Sequence, residues 1–197
     1  MSTSMSTSAS ASREAIPLAP RKAEEDVWKY PRPPALQRTP NRLRVVWTSN
    51  QGEETTVADT TEGYRVLETT HPPTYYFPPS AIKVPLELTA KQTYCEWKGR
   101  AAYHTFHPHG GGQPIVNRIW SYPAPTDSFV PLKDHFSFYA STGTDSRRAG
   151  GRWQCFVDDE EVGVQEGDFY GGWITSNIKG KMKGGECCVT SIMMFQS

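Results

Sequence analysis

The sequence carries no charge excess: Lys plus Arg and Asp plus Glu number 21 each, and the formal net charge is zero. Binding to a phosphate backbone normally leaves a basic surplus on a domain, so nucleic acid is not an expected partner. Apolar runs are equally scarce. Nothing approaches the ~18 consecutive apolar residues of a membrane helix. The Ser-, Thr-, Ala- and Met-rich start holds no signal-peptide core. The cysteines, Cys95, Cys155, Cys187 and Cys188, form no CxxC pair, and the adjacent two cannot readily bridge each other. These absences together predict a reduced, cytoplasmic protein with no membrane partner. Long helical periodicity is missing too, which excludes a helical bundle.

What is present is short, extended and aromatic. Trp 6, Tyr 9 and Phe 8 supply core or pocket surface, and 16 prolines with 16 glycines divide the chain into short segments. At 197 residues one domain with one substantial core is expected. Residues 1–23 read as a disordered leader, with too little apolar surface to offset ordering entropy. Residues 24–42 read as a Pro-rich extended arm that Trp28 and Tyr30 can anchor. Residues 43–165 form the β body, and 166–197 a Gly-rich extension packed on it. Within the body, LRVVWTS and TTVADT predict a hairpin across Asn50-Gln51-Gly52, and TYCEWKGRAAYHTF predicts two strands flanking Lys98-Gly99. Tyr64 to Leu67 fits either a short strand or one helical turn. The fold class is mainly β: a compact antiparallel single domain with few short helices.

The densest stretch is RVLETTHPPTYYFP, Arg65 to Pro78. Arg65 and Glu68 would share a face in a helical turn and point apart in a strand. As a site, Arg65 would hold a carboxylate or enolate oxygen and Glu68 would act as base or acid; as structure, they would form a salt bridge closing the sheet. His71 sits on a Pro-Pro corner, suited to proton transfer near neutral pH or to a hydrogen-bonded corner. Tyr75 and Tyr76 face opposite sides if extended, so one lines a cavity while the other packs. In TYCEWKG, strand alternation would put Tyr94, Glu96 and Lys98 on one face, opposite Cys95 and Trp97. That grouping suits acid–base work or oxyanion binding, and equally a solvent-facing polar edge.

His104, His107 and His109 lack an acidic partner at a metal-ligand spacing, so they read as a surface loop. GKMKGG lacks the GxxxxGK[ST] spacing of a phosphate loop. Asp158-Asp159-Glu160-Glu161 reads as the acidic turn of a hairpin rather than as a magnesium site. Neither a metal nor a cofactor is expected.

The ordered motifs carry a resemblance. Ala58-Asp59-Thr60, Arg65-Val66-Leu67-Glu68, His71-Pro72-Pro73, Tyr75-Tyr76-Phe77-Pro78, Thr93-Tyr94-Cys95, Lys98-Gly99 with Ala101 and Tyr103, Trp120-Ser121-Tyr122-Pro123, Phe138-Tyr139 and Val157-Asp158 recur in family order. With these residues the chain resembles the DUF427 family, some of whose catalogue names are nucleotidyltransferase-like. The resemblance implies an antiparallel fold similar to the β-tent group and a homodimer. Tyr170 to Gly185 looks like an extension found in a longer subgroup. The assigned catalytic set is Glu68, Arg65, His71, Tyr94 and Glu96; the substrate-binding set is Tyr75, Tyr76, Lys98, Tyr103, Trp120 and Tyr122. The expected function is acid–base chemistry without a redox cofactor: cyclisation, lactonisation or dehydration of a polyketide-like oxygenated small molecule. Nucleotide binding or transfer, and a non-enzymatic ligand or interaction module, are the alternatives.

Overall fold

Strands form where β-branched and aromatic residues alternate with polar ones or run between Pro and Gly corners. The computed structural model describes residues 15–19, 21–109, 112–143, 149–167 and 169–184. Residues 1–14 of the expected leader, residues 144–148 and the segment with Cys187 and Cys188 lie outside the described residues. Among those described, the chain runs β1 (Glu25–Asp26), β2 (Ala35–Arg38), β3 (Leu43–Ser49), β4 (Glu54–Thr60), β5 (Tyr64–Leu67), β6 (Thr74–Tyr76), β7 (Leu86–Cys95) and β8 (Gly99–Phe106). It continues through β9 (Ile115–Pro125), β10 (Phe136–Phe138), β11 (Gly151–Val157), β12 (Glu160–Glu161), β13 (Gly163–Val164), β14 (Trp173–Ile174) and β15 (Ile178–Lys179). Three 3₁₀ turns, Val27–Lys29, Pro79–Ala81 and Asp127–Leu132, interrupt the described strands. No helix among the described residues is long and apolar enough to cross a membrane.

Three antiparallel sheets carry the architecture, ordered β12-β11-β3-β4, β10-β9-β8-β7 and β2-β5-β6. The third is tied to the second where Phe77 and Phe136 exchange backbone hydrogen bonds of 2.8 and 2.9 Å. The strand β9 is buried on both faces, its side chains alternating with period two. Ile119 enters the main core with Trp47, Phe106, Phe138, Trp153 and Trp173. Trp120 and Tyr122 enter a second cluster with Tyr76, Ala101 and Tyr103. One strand pair therefore separates a dry core from an aromatic chamber.

Several expectations change at this level. The arm packs on the body through Val27 and Tyr30, buried against Leu67 and Ile178, and β1 pairs in parallel with β15. The end of the expected leader pairs with β2: the Ala19 N–H donates to the Arg38 carbonyl and the Arg38 N–H to that of Pro17. Trp28 lies exposed, its indole N–H donating to the Lys181 carbonyl. Tyr64 to Leu67 is a strand, so Arg65 and Glu68 do not share a helical face. The strand that precedes Lys98 stops at Cys95, and residues 96–98 form the turn into β8. The predicted alternation of Tyr94, Glu96 and Lys98 along one strand face does not occur.

Arg65 is a structural residue here. It is 5% exposed, its Nη1 lies 2.6 Å from Glu25 Oε1, and Nε and Nη2 donate to Gln37 Oε1 at 3.0 and 2.8 Å. Glu25 also accepts from the Tyr30 hydroxyl at 3.0 Å. Arg65 therefore joins β1, β2 and β5 instead of facing a ligand. Tyr75 packs beside it in the main core, 5.4 Å from the Trp173 ring, and burial pushes its phenol up to about 12. Removing one partner of a buried ion pair leaves an uncompensated charge, worth ~3–5 kcal/mol. Arg65→Ala should lower unfolding free energy by about that amount in urea titrations, with Glu25→Ala close behind. A loss under ~1 kcal/mol, the size expected of an exposed pair, would remove this role.

Candidate functional site

Against the aromatic face of β8 and β9 lies a cavity of about 270 Å³. Its floor is Tyr103, Trp120 and Tyr122, with Tyr76 from β6 beside them. Glu68 and His71 come from the corner between β5 and β6, and Tyr94, Glu96, Trp97 and Lys98 from the end of β7 and the turn that follows. Of the residues singled out from sequence, all except Arg65 and Tyr75 line this one space. Tyr94 does so from the rim, where its side chain is largely exposed.

The corner is built locally. The His71 N–H donates to the Glu68 carbonyl at 2.9 Å, and Thr70 adopts a left-handed φ of 69°. The tight loop aims Glu68 and His71 at the chamber, while Pro72-Pro73 prevents continuation into regular structure. The opposite wall comes from the C-terminal extension: Phe169, Tyr170, Gly171, Gly172 and Lys183, preceded by Gln165. The Gly-Gly pair is a packing requirement. A Cβ on Gly171 would overlap the Trp120 ring, and one on Gly172 would lie 2.5 Å from Pro72 Cγ. Trp173 then locks the segment, its backbone N–H donating to Pro73 at 2.9 Å and its indole to Phe138 at 2.7 Å.

Charges at the mouth are arranged unequally. Arg32, from the arm, bridges both acids, with Nη2 3.0 Å from Glu96 Oε1 and Nη1 3.8 Å from Glu68 Oε1. Glu68 is the more sheltered carboxylate, its side chain 22% exposed against 64% for Glu96. Burial, the largest influence, lowers the His71 pKa; Glu68 opposes the shift, while Lys183, Lys98 and Arg32 reinforce it. His71 is therefore neutral near pH 7. Gln165 sets its tautomer: the amide oxygen accepts from the Gly172 N–H and the amide nitrogen donates to the Lys183 carbonyl. That nitrogen faces His71 Nδ1 at 3.4 Å, leaving the ring proton on Nε2. Burial also pushes the Tyr76 and Tyr122 phenols well above the usual tyrosine range, so both stay protonated.

The cavity includes residues for which the sequence offered no local signal. Gln165 follows a hairpin and belongs to no motif; Tyr170 and Lys183 lie in the Gly-rich extension, Lys183 within GKMKGG, and Arg32, from the proline run, reaches the acids at the mouth. The histidines of the predicted loop go separate ways. His104 Nε2 lies 3.0 Å from Ser121 Oγ and His107 Nε2 2.5 Å from Glu87. Among the described residues no three His, Cys, Asp or Glu side chains converge on a point where a metal could sit. The acidic turn is engaged in structural contacts: Asp158 accepts from Asn41 and the Arg42 N–H, Glu160 from Ser176, and Glu161 from Arg152.

Residues 35–149 match the model of a domain of unknown function, DUF427, which carries the label NTP_transf_9. No curated protein matches the chain. The matched range contains the cavity floor, Glu68, His71 and the turn 96–98. Arg32, Gln165, Tyr170 and Lys183 lie outside it.

Two tests follow from this geometry. Gly171→Ala should displace the Trp120 ring or lift the segment over it, shifting tryptophan emission and costing ~1–3 kcal/mol as an overpacked core site does; unchanged emission and melting would contradict the close approach. The second concerns pH. The pKa of folded His71 is depressed, so its share of stability is complete above the unfolded value near 6.5 and is lost as pH falls through the folded one. His104 and His135, also depressed by burial, add to the same slope. His71→Gln should flatten the fall in urea midpoint between about pH 7.5 and 5. An unaltered slope would mean that His71 protonates freely in the folded protein.

Proposed function

The chain belongs to the DUF427 family, and from the geometry of its cavity we propose a small-molecule enzyme that uses acid–base catalysis without a redox cofactor. The observation that carries this reading is the convergence of Glu68, His71 and Lys98 on one aromatic-walled chamber. Glu68 is the base: it is the sheltered carboxylate, held at the mouth by Arg32. Lys98 replaces Arg65 as the cation available to a developing oxyanion, since Arg65 is bound to Glu25. His71 is neutral and supplies a hydrogen bond from Nε2, orienting a substrate oxygen without carrying charge.

These groups suit dehydration, cyclisation or lactonisation of a polyketide-like oxygenated compound. In a dehydration, Glu68 removes a proton from the carbon next to a carbonyl. The C–H electron pair forms an enolate whose oxygen faces Lys98. The enolate collapses to a conjugated double bond as the β-hydroxyl leaves, taking the proton from Glu68 and departing as water. Ring closure uses the same two steps, with Glu68 accepting the proton of an attacking hydroxyl and returning it to the leaving group. Aromatic walls exclude water from the enolate and stack against a planar product.

Nucleotide transfer is the weaker alternative, because the acidic run Asp158 to Glu161 that would hold magnesium is engaged by Asn41, Ser176 and Arg152. The experiment is solvent exchange: β-hydroxy and β-keto carbonyl compounds are incubated with the protein in deuterated water and followed by proton NMR. Wild type should exchange the acidic C–H, and Glu68→Gln should slow exchange ~10²–10⁴-fold, the usual contribution of a positioned base. Exchange equal in both proteins, or absent from wild type across the panel, would sink the enzyme reading and leave a binding module.

A further inference from the structure

Two lysines face the cavity without an acidic partner. Lys98 is 8% exposed, and its Nζ lies 6.0 Å from the centroid of the Tyr122 ring and 5.8 Å from that of Phe129. Lys183 Nζ lies 5.6 Å from the Tyr170 centroid. Both line the chamber, and among the described residues neither is within ion-pair distance of a carboxylate. Both acids of the mouth, Glu68 and Glu96, are instead taken by Arg32.

Aromatic faces attract a cation through the ring quadrupole without cancelling its charge. A carboxylate partner would cancel it. The rings thus leave both lysines without a carboxylate partner at the chamber wall, Lys98 in a residue that is 8% exposed. With His71 neutral, the lining lysines Lys98 and Lys183 balance the lining acids Glu68 and Glu96, and Arg32, which bridges both acids from outside the lining, adds one positive charge at the mouth. A ligand bringing an anion supplies the charge-assisted partner that neither lysine has among the described residues.

We propose that the cavity takes a planar small molecule bearing a carboxylate, with the carboxylate facing Lys98 and Lys183 and the ring plane against Trp120 and Tyr122. This rests on the proposed active site and names its substrate class: an aromatic or conjugated acid. The chamber's volume of about 270 Å³ falls at the low end of ligand pockets, ~300–1,000 Å³. A one- or two-ring acid is therefore favoured over a nucleotide.

Trp97 and Trp120 line the cavity and report binding by their fluorescence. The full chain is titrated at low salt with 2-naphthoate, 2-naphthamide and adenosine monophosphate. Naphthoate should bind about tenfold or more tightly than the amide, should weaken as salt screens the pair, and should outcompete the nucleotide. Lys98→Met should erase the preference for acid over amide, and Lys98→Arg should keep it. Lys183→Met, at a more peripheral wall, should reduce it and provides a second reading where Lys98→Met is unstable by circular dichroism. Equal binding of acid and amide, tighter binding of the nucleotide, no saturable naphthoate binding, or a preference untouched in both methionine variants would each overturn the inference. Acid-selective binding retained in a protein that shows no solvent exchange would leave it standing and remove only the catalytic reading.

Discussion

The pairing of β8 with β9 is the constraint on which the other parts depend. Tyr103 and Trp120 are register partners in that ladder, and the two-residue repeat of a strand sends alternate side chains to opposite faces. Ile119 and Phe106 are thereby committed to the main core, while Tyr103, Trp120 and Tyr122 face the chamber. A one-residue slip would exchange the two sets. The main core and the chamber floor are therefore set by the same hydrogen bonds.

Around that ladder the chain's two flanks close on each other. The parallel pairing of β1 with β15 brings the arm against the C-terminal extension, and the Glu25–Arg65–Gln37 network ties both to the third sheet. This clasp has a functional consequence. It delivers Arg32 to one side of the chamber and Tyr170 and Lys183 to the other. The floor, Glu68 and His71 belong to the family-matched residues 35–149, whereas much of the rim does not. A shared floor with a rim drawn from flanking segments is the arrangement expected when a scaffold varies through its connecting segments.

The residues that sequence reading placed correctly share a physical property: their role follows from neighbours close in the chain. The Asn50-Gln51-Gly52 turn and the His71-Pro72-Pro73 corner are local events. Tyr75 and Tyr76 also diverge as adjacent strand residues must, one into the main core and one toward the chamber. Arg65 shows the limit. A guanidinium near a glutamate looks the same in sequence whether it meets a ligand or a structural partner, and its partner, Glu25, lies forty residues earlier. The turn at residues 96–98 is a second case: strand alternation extrapolated from Tyr94 runs past Cys95, where the strand ends and the backbone reverses. Lys98 reaches the chamber through that turn.

Composition and local pattern by themselves determined that the protein is mainly β, that its strands are short, and that reactive side chains gather near the Pro-Pro corner. Those properties depend on backbone sterics and on periodicity, which act over a few residues. Tertiary structure alone decided which charges are neutralised and which are left free. Arg32 and Glu68 meet across the arm, Arg65 is consumed by Glu25, and Lys98 and Lys183 rest on aromatic rings. A side chain's charge is written in the sequence, but whether that charge is available to a ligand depends on partners that only the folded chain brings within a few ångströms.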